Sequence, residues 1–174
     1  MYKFLLVLLL FIFFSCKKQE RAIVQEDFVF SYGGGYQNLE VLKFVGDTVF
    51  LLKYYPYNKK VYFFTIDKYE VIKINSYLDS INKISFKKEY VNEFVVDGFY
   101  FQLELLKSKK RVYVRNVHSY ELEYLHSFAE FLEYIYLKKQ VIEYKNLDID
   151  FGNLEKILPP PEPGFNEIFE SDIK

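Results

Sequence analysis

Two histidines, one cysteine and a few short clusters are the residues of this sequence whose chemistry could go beyond packing. His118 and His126 lie eight residues apart. Metal ligands shared on one helix recur at i, i+4, and structural zinc takes four nitrogen or sulfur ligands, so this spacing reads as satisfied or surface histidines. Ser119 beside His118 suggests a nucleophile and its base. A triad is defined by geometry in space, however, and no Gly-x-Ser-x-Gly elbow is present. Ser119 is expected instead to cap a helix. Gly33-Gly34-Gly35 could cradle a phosphate through backbone N–H groups, but no Gly-Lys-Ser/Thr follows and the glycines lack dinucleotide-loop spacing. A turn or bulge is the expected role. Asp148-Ile149-Asp150 lacks the glycine and terminal glutamate of a calcium loop and reads as a solvated acidic segment. Lys107, Lys109, Lys110, Arg111 and Arg115, with Tyr113 among them, form the densest basic group. They are the best-defined candidate binding patch, suited to an anionic glycan, lipid headgroups or nucleic acid, with a solvated hairpin tip as the plainer reading. No catalytic residue, metal ligand or cofactor is assigned.

The elements that would position these groups follow from periodicity. Phe28, Phe30 and Tyr32 alternate before the three glycines. Tyr36 to Val45 and Thr48 to Tyr55 read as strands joined around Gly46-Asp47, and Val61 to Ile66 as a further strand after a turn at Pro56-Tyr57-Asn58. Val71, Ile74, Leu78 and Ile81 then follow helical spacing, with Asp67 and Glu70 forming a capping box, so a helix is expected from about Lys68 to Asn82. Phe99, Phe101, Leu103 and Leu105 alternate again. Lys107-Ser108-Lys109-Lys110 makes the turn, and Arg111 to Val117 returns with Val112 and Val114 inward. Leu122, Leu125, Phe128 or Ala129, Leu132 and Ile135 mark a second helix over Tyr120 to Lys138. Val141 to Tyr144 could add a short strand.

The expected fold class is therefore α+β: an antiparallel sheet of about five to six strands with two helices on one face, in the order β-β-β-β-α-β-β-α. One α+β domain over residues 27–146 is expected, preceded by a polar tether over 16–26. An extended acidic, proline-rich tail over 147–174 follows, carrying Pro159-Pro160-Pro161-Glu162-Pro163. The uncovered sheet face is the natural interaction surface, with Tyr62, Tyr100 and Tyr113 as its exposed rings.

Composition narrows the classes. The formal net charge of −1 removes any generic pull toward nucleic acid. The 17 Tyr and 19 Phe could pave a binding surface, but 20 Lys against three Arg and only two Ala point to an AT-rich coding bias. The single cysteine, Cys16, excludes an internal disulfide.

Cys16 ends an unusual segment. Lys3 provides a short positive start, and Phe4 to Phe14 is an unbroken apolar run. As a helix this run spans roughly 16–17 Å, about half of the ~30 Å hydrocarbon core, which suits a signal segment and not a membrane span. Ser15 precedes Cys16, and Lys17-Lys18-Gln19-Glu20-Arg21 follows. On these residues the segment resembles a bacterial lipoprotein signal peptide, with Phe13-Phe14-Ser15-Cys16 as its lipobox. The looser Ser-Cys-Lys form is similar to that of Bacteroidota lipoproteins. The Ser31-Tyr32-Gly33-Gly34-Gly35-Tyr36 turn and the element order also resemble small Bacteroidota lipoproteins of unknown activity. The resemblance implies cleavage after residue 15, diacylglycerol and an N-acyl chain on Cys16, and anchoring in the cell envelope, with the outer membrane favoured. Partners would be the membrane itself and an envelope protein or glycan.

Three functions are compatible with this reading. The first is a tethered binding or structural module without chemistry of its own. An immunity-type inhibitor ranks second, and a hydrolase of envelope polymers third.

Overall fold

The structure is a computed structural model and describes residues 22–34, 38–55, 58–95, 98–145, 148–152 and 154. The apolar segment, Cys16, Gly35 and the proline-rich stretch lie outside the described residues. The strands are β1 (Phe28–Gly34), β2 (Asn38–Val45), β3 (Thr48–Tyr55), β4 (Asn58–Thr65), β5 (Glu89–Val91), β6 (Phe99–Leu105), β7 (Lys110–Arg115) and β8 (Ile142–Tyr144). Helix α1 (Lys68–Lys83) lies between β4 and β5, and α2 (Glu123–Lys138) between β7 and β8. A one-turn 3-10 helix, Tyr120–Leu122, leads into α2.

All eight strands form one sheet in the order β5-β7-β6-β1-β2-β3-β4-β8. The α+β class is as expected, but the sheet is larger and its composition mixed. The β5–β7 pair is parallel, Glu89 opposite Tyr113, while every other described pair is antiparallel. The element order is accordingly β-β-β-β-α-β-β-β-α-β. Strands β5 and β8 hold three residues each, too few to show a period of two. Each helix crosses the sheet and delivers the chain to an edge, which is why these short strands sit at the two ends of the strand order.

Strand pairing arranges the helix-facing side chains in transverse rows. Lys110, Leu105, Phe28, Phe44, Val49 and Phe64 make one row. Val112, Leu103, Phe30, Leu42, Leu51 and Tyr62 make the next, and Val114, Phe101, Tyr32, Glu40, Lys53 and Lys60 the third. The first two rows are mostly apolar and take the stripes of both helices: Val71, Ile74, Leu78 and Ile81 from α1, and Leu125, Phe128, Leu132 and Ile135 from α2. At the centre Phe28 stacks on Phe44 with ring centroids 4.3 Å apart, and Phe128 leans on it at 5.7 Å. Offset ring pairs add about 0.5–1.5 kcal/mol beyond their area burial.

The helix termini explain how the layer is locked. The Asp67 carboxylate accepts from the Glu70 backbone N–H at 2.9 Å, and the Glu70 carboxylate accepts from the Asp67 N–H at 2.7 Å, the reciprocal box expected from sequence. Lys139 just past α2 reaches the same Glu70 at 2.6 Å, tying the end of α2 to the start of α1. Ser119 occupies an extended cap position before the 3-10 turn, but its side chain makes no capping bond. The preceding extra turn removes the hydroxyl from reach of the α2 amides.

The second sheet face is not bare. Val29, Leu39, Val41, Leu52 and Val61 form a smaller apolar cluster there with Phe151, and Ile149 and Leu154 pack against it. Lys43 donates to the Asp150 carbonyl at 2.7 Å, and Tyr144 meets the rings of Phe50 and Phe63 edge-on. Residues 148–152 and 154 therefore lie across the sheet face expected to be open.

Residues 22–27 are fastened to one end of the sheet. Val24 donates to the Gly46 carbonyl at 3.0 Å, and Gly46 holds φ +63, where a Cβ would be strained. Asn75 of α1 accepts from the Gln25 N–H at 3.0 Å and donates to the Ile23 carbonyl at 3.1 Å. The buried Glu26 carboxylate accepts from the Ser108 N–H at 2.5 Å and from Asn82 at 3.2 Å. The β2–β3 and β6–β7 turns share this end, and the Gly33-Gly34 end of β1 is opposite. Seven residues of β1 separate them, about 20 Å at ~3.3 Å per residue.

Candidate functional site

The third transverse row is where the apolar core gives way to polar groups, and a cleft opens there between the sheet and α2. Tyr32 lies directly opposite Glu40, and Glu40 directly opposite Lys53. Tyr32 Oη donates to Glu40 Oε2, Tyr136 of α2 donates to Glu40 Oε1 at 2.8 Å, and Lys53 Nζ lies 3.3 Å from that same oxygen. The Lys53 ammonium also sits 5.2 Å from the Tyr136 ring centroid. Both carboxylate oxygens are engaged, and the half-buried negative charge is met by a cation and two phenols.

These contacts shape the titration of the two tyrosines and the lysine. Burial pushes the Tyr32 phenol well above its usual range, reinforced by its bond to Glu40. Burial likewise raises Tyr136, partly offset by the hydrogen bond with Lys53. Lys53 is the reverse case: burial acts to lower it, but the Tyr136 hydrogen bond and the Glu40 charge prevail and hold it above its ordinary value. The two phenols thus stay neutral and Lys53 stays charged through the neutral range, which suits a structural lock.

Beside the quartet stand both histidines. His118, from the loop after β7, stacks on His126 of α2 with ring centroids 4.6 Å apart and an interplanar angle of 22°. Phe99 contacts both imidazoles, at 4.7 and 5.5 Å, and Phe101 meets His126 edge-on at 5.3 Å. His126 Nε2 lies 2.9 Å from the Val117 carbonyl. A carbonyl only accepts, so Nε2 carries the proton and Nδ1 is left as the acceptor. Burial lowers the His126 pKa, with the Val117 bond opposing and the neighbouring His118 adding to the shift. Face-to-face stacking directs the ring nitrogens outward from each ring edge and not toward a common point. Among the described residues no group of three or more His, Cys, Asp or Glu is arranged to hold a metal ion.

The cleft has a volume of about 590 Å³. Its floor is Tyr32, Gly33, Gly34, Phe99 and Phe101, and its α2 wall runs from His126 through Ala129 to Tyr136. Glu130 and Glu133 stand exposed on the same wall. The size falls within the range for small-molecule pockets, roughly 300–1,000 Å³.

The basic group named from sequence does not form one surface. Lys107 and Lys109 are exposed at the β6–β7 turn. Lys110 points under α1 and donates to the carbonyls of Ile81, Asn82 and Ile84 at 2.9, 3.1 and 2.9 Å. Arg111, Tyr113 and Arg115 alternate onto the opposite sheet face, where Arg111 donates to the buried Gln102 at 2.6 Å. Strand alternation separates neighbours in sequence, so a basic run on a strand divides between two faces. Of the three tyrosines expected on the open face, Tyr100 and Tyr113 are there but half-buried, and Tyr62 is on the helix-facing side against the core. Its partner Leu51 fixes that orientation. Asp150 turns back to accept from the Gly152 N–H at 2.8 Å. Cys16 lies outside the described residues.

Tyr32, Glu40, Lys53 and Tyr136 were not singled out from sequence. A signal existed: Glu40 is in phase with Leu42 and Phe44, and Lys53 with Val49 and Leu51, so each places a charge on an otherwise apolar stripe. The histidine pair gave none, because the fold, and not their spacing, brings the rings together.

No family model, curated protein or solved structure matches the chain. No described helix is long and apolar enough to cross a membrane.

Proposed function

We propose that this chain is a lipid-anchored module of the bacterial cell envelope, without chemistry of its own, that binds a ligand in the cleft between β1 and α2. The outer membrane is the favoured location. The observation that carries the reading is the placement of the cleft at the end of β1 opposite the segment that leads back to Cys16. Between Cys16 and Ala22 the chain can reach about 20 Å at most, at ~3.5 Å per residue. A domain held that close to a bilayer presents its far end to solvent, where the cleft opens.

The Ser15-Cys16 junction after an eleven-residue apolar run supports the anchor. The non-catalytic reading is supported by the state of Glu40, whose carboxylate is fully engaged by Tyr32, Tyr136 and Lys53. A carboxylate held in this way is not available as one member of a hydrolytic pair, which must take or give a proton.

The chain contains no tryptophan, so single tryptophans can report position. Lys107→Trp marks the tethered end and Leu137→Trp the cleft. In vesicles bearing the full lipidated chain, energy transfer to dansyl-labelled headgroups is expected to be stronger from Lys107→Trp. Equal transfer, or stronger transfer from Leu137→Trp, would remove the orientation on which the reading rests.

A further inference from the structure

We infer that the cleft takes an organic cation, an ammonium group carried on an apolar body, and not an anion. This rests on the binding-module reading and names the ligand class of the same site. Charge complementarity is the first argument. The cleft is lined by three carboxylates, Glu40, Glu130 and Glu133, and by no lysine or arginine among the described residues. Glu40 is already balanced by Lys53. The net field at the mouth is therefore that of Glu130 and Glu133.

The placement of these two acids is the second argument. They are three apart on α2 and so share one helix face, the face that overhangs the cleft. Both line the cleft together with Tyr32, Phe99 and Phe101, so a cation entering it would meet carboxylates and rings in one space. A cation over a tyrosine or phenylalanine face is attracted by the negative ring face, the more strongly as the site becomes drier.

The rest of the lining suits the apolar body of such a ligand. Phe99 and Phe101 supply ring surface, and Ala129 leaves α2 without a bulky side chain over the floor. Gly34 adds no side chain to this edge of the cleft, where a Cβ would come into ordinary contact with the Gly98 carbonyl at 3.6 Å. An anion would face Glu130 and Glu133, with no lysine or arginine among the described lining residues to receive it.

The test is titration calorimetry on the full lipidated chain in detergent micelles, with 2-phenylethylammonium and phenylacetate as probes of matched body and opposite charge. Saturable binding of the ammonium is expected, at least tenfold tighter than the carboxylate and weakened by added salt. The Glu130→Gln/Glu133→Gln pair is expected to reduce ammonium affinity about tenfold while leaving the thermal midpoint unchanged, because both side chains are exposed. Phenylacetate binding equal to or tighter than the ammonium, no saturable ammonium binding, or wild-type affinity in the double variant would each overturn the inference. The anchor and the orientation of the domain are read by acyl mass and energy transfer, so they stand or fall apart from this result.

Discussion

Lys110→Met separates a structural lysine from a binding lysine within one basic run. The ammonium of Lys110 closes the C-terminal turn of α1 by donating to the carbonyls of Ile81, Asn82 and Ile84. Methionine keeps most of the apolar stem and removes only the charge and donors. The Asn82 contact is exposed and water can replace it. The Ile81 and Ile84 carbonyls are part-buried and lose a charged donor. A hydrogen bond to a charged group is worth about 1.5–3 kcal/mol, and a cation at a helix C-terminus about 0.3–1 kcal/mol. Allowing for partial exposure, the expected loss is about 2 kcal/mol. In a domain of this size that lowers the thermal midpoint by about 4–8 °C. Lys109→Met, one residue away on the exposed turn, should stay within about 0.5 kcal/mol of wild type. Thermal and urea denaturation of both variants is the assay. Equal losses in the two, or no loss in Lys110→Met, would refute the assignment of Lys110 to the helix end.

Further perturbations probe other parts of the fold. Gly98→Ala should cost about 2–3 kcal/mol by overpacking and a lost hydrogen bond. Its Cβ would lie 1.7 Å from Asn116 Oδ1, forcing out a side chain that donates to the Val95 carbonyl at 2.9 Å. Asn116→Gly in the same chain should recover part of that loss, and strictly additive midpoints would contradict the clash. Asp67→Ala removes the carboxylate of the α1 capping box and should cost about 1 kcal/mol in urea denaturation. For pH, burial depresses His126, so the folded state resists its protonation. The unfolded chain then binds more protons below the ordinary value of 6.5, and stability falls as pH drops from there through the folded value. Denaturation midpoints of wild type and His126→Asn should converge as pH falls through this window; parallel curves would show that the histidine is not responsible. Glu26 is also lowered, because the Ser108 and Asn82 bonds outweigh burial, so its contribution is lost in a separate, more acidic range below 4.5.

Much of the fold was legible because its signals are local. Asp67 with Glu70 located the start of α1, and Val71, Ile74, Leu78 and Ile81 gave its buried face to the residue. The alternation from Phe99 to Leu105 gave β6 and its inward side. What escaped depends on distant segments. Strand β5 pairs in parallel with β7 across more than twenty intervening residues, and three residues carry no period. Phe151 read as part of a tail because nothing near it in sequence shows that Val29, Val41 and Leu52 form an apolar surface waiting for it. The cleft was hidden for the same reason. His118 and His126 meet only because the 3-10 turn folds the β7–α2 loop back on itself, and Glu40 meets Tyr136 across 96 positions.

The central claim, that the domain is anchored through Cys16, is tested most directly by intact-mass analysis of the membrane-fraction protein, wild type beside Cys16→Ala. The expected result is a mature chain beginning at Cys16 and carrying diacylglycerol and N-acyl mass, with both the added mass and the membrane association lost in Cys16→Ala. An unmodified wild-type chain in the soluble fraction would contradict it.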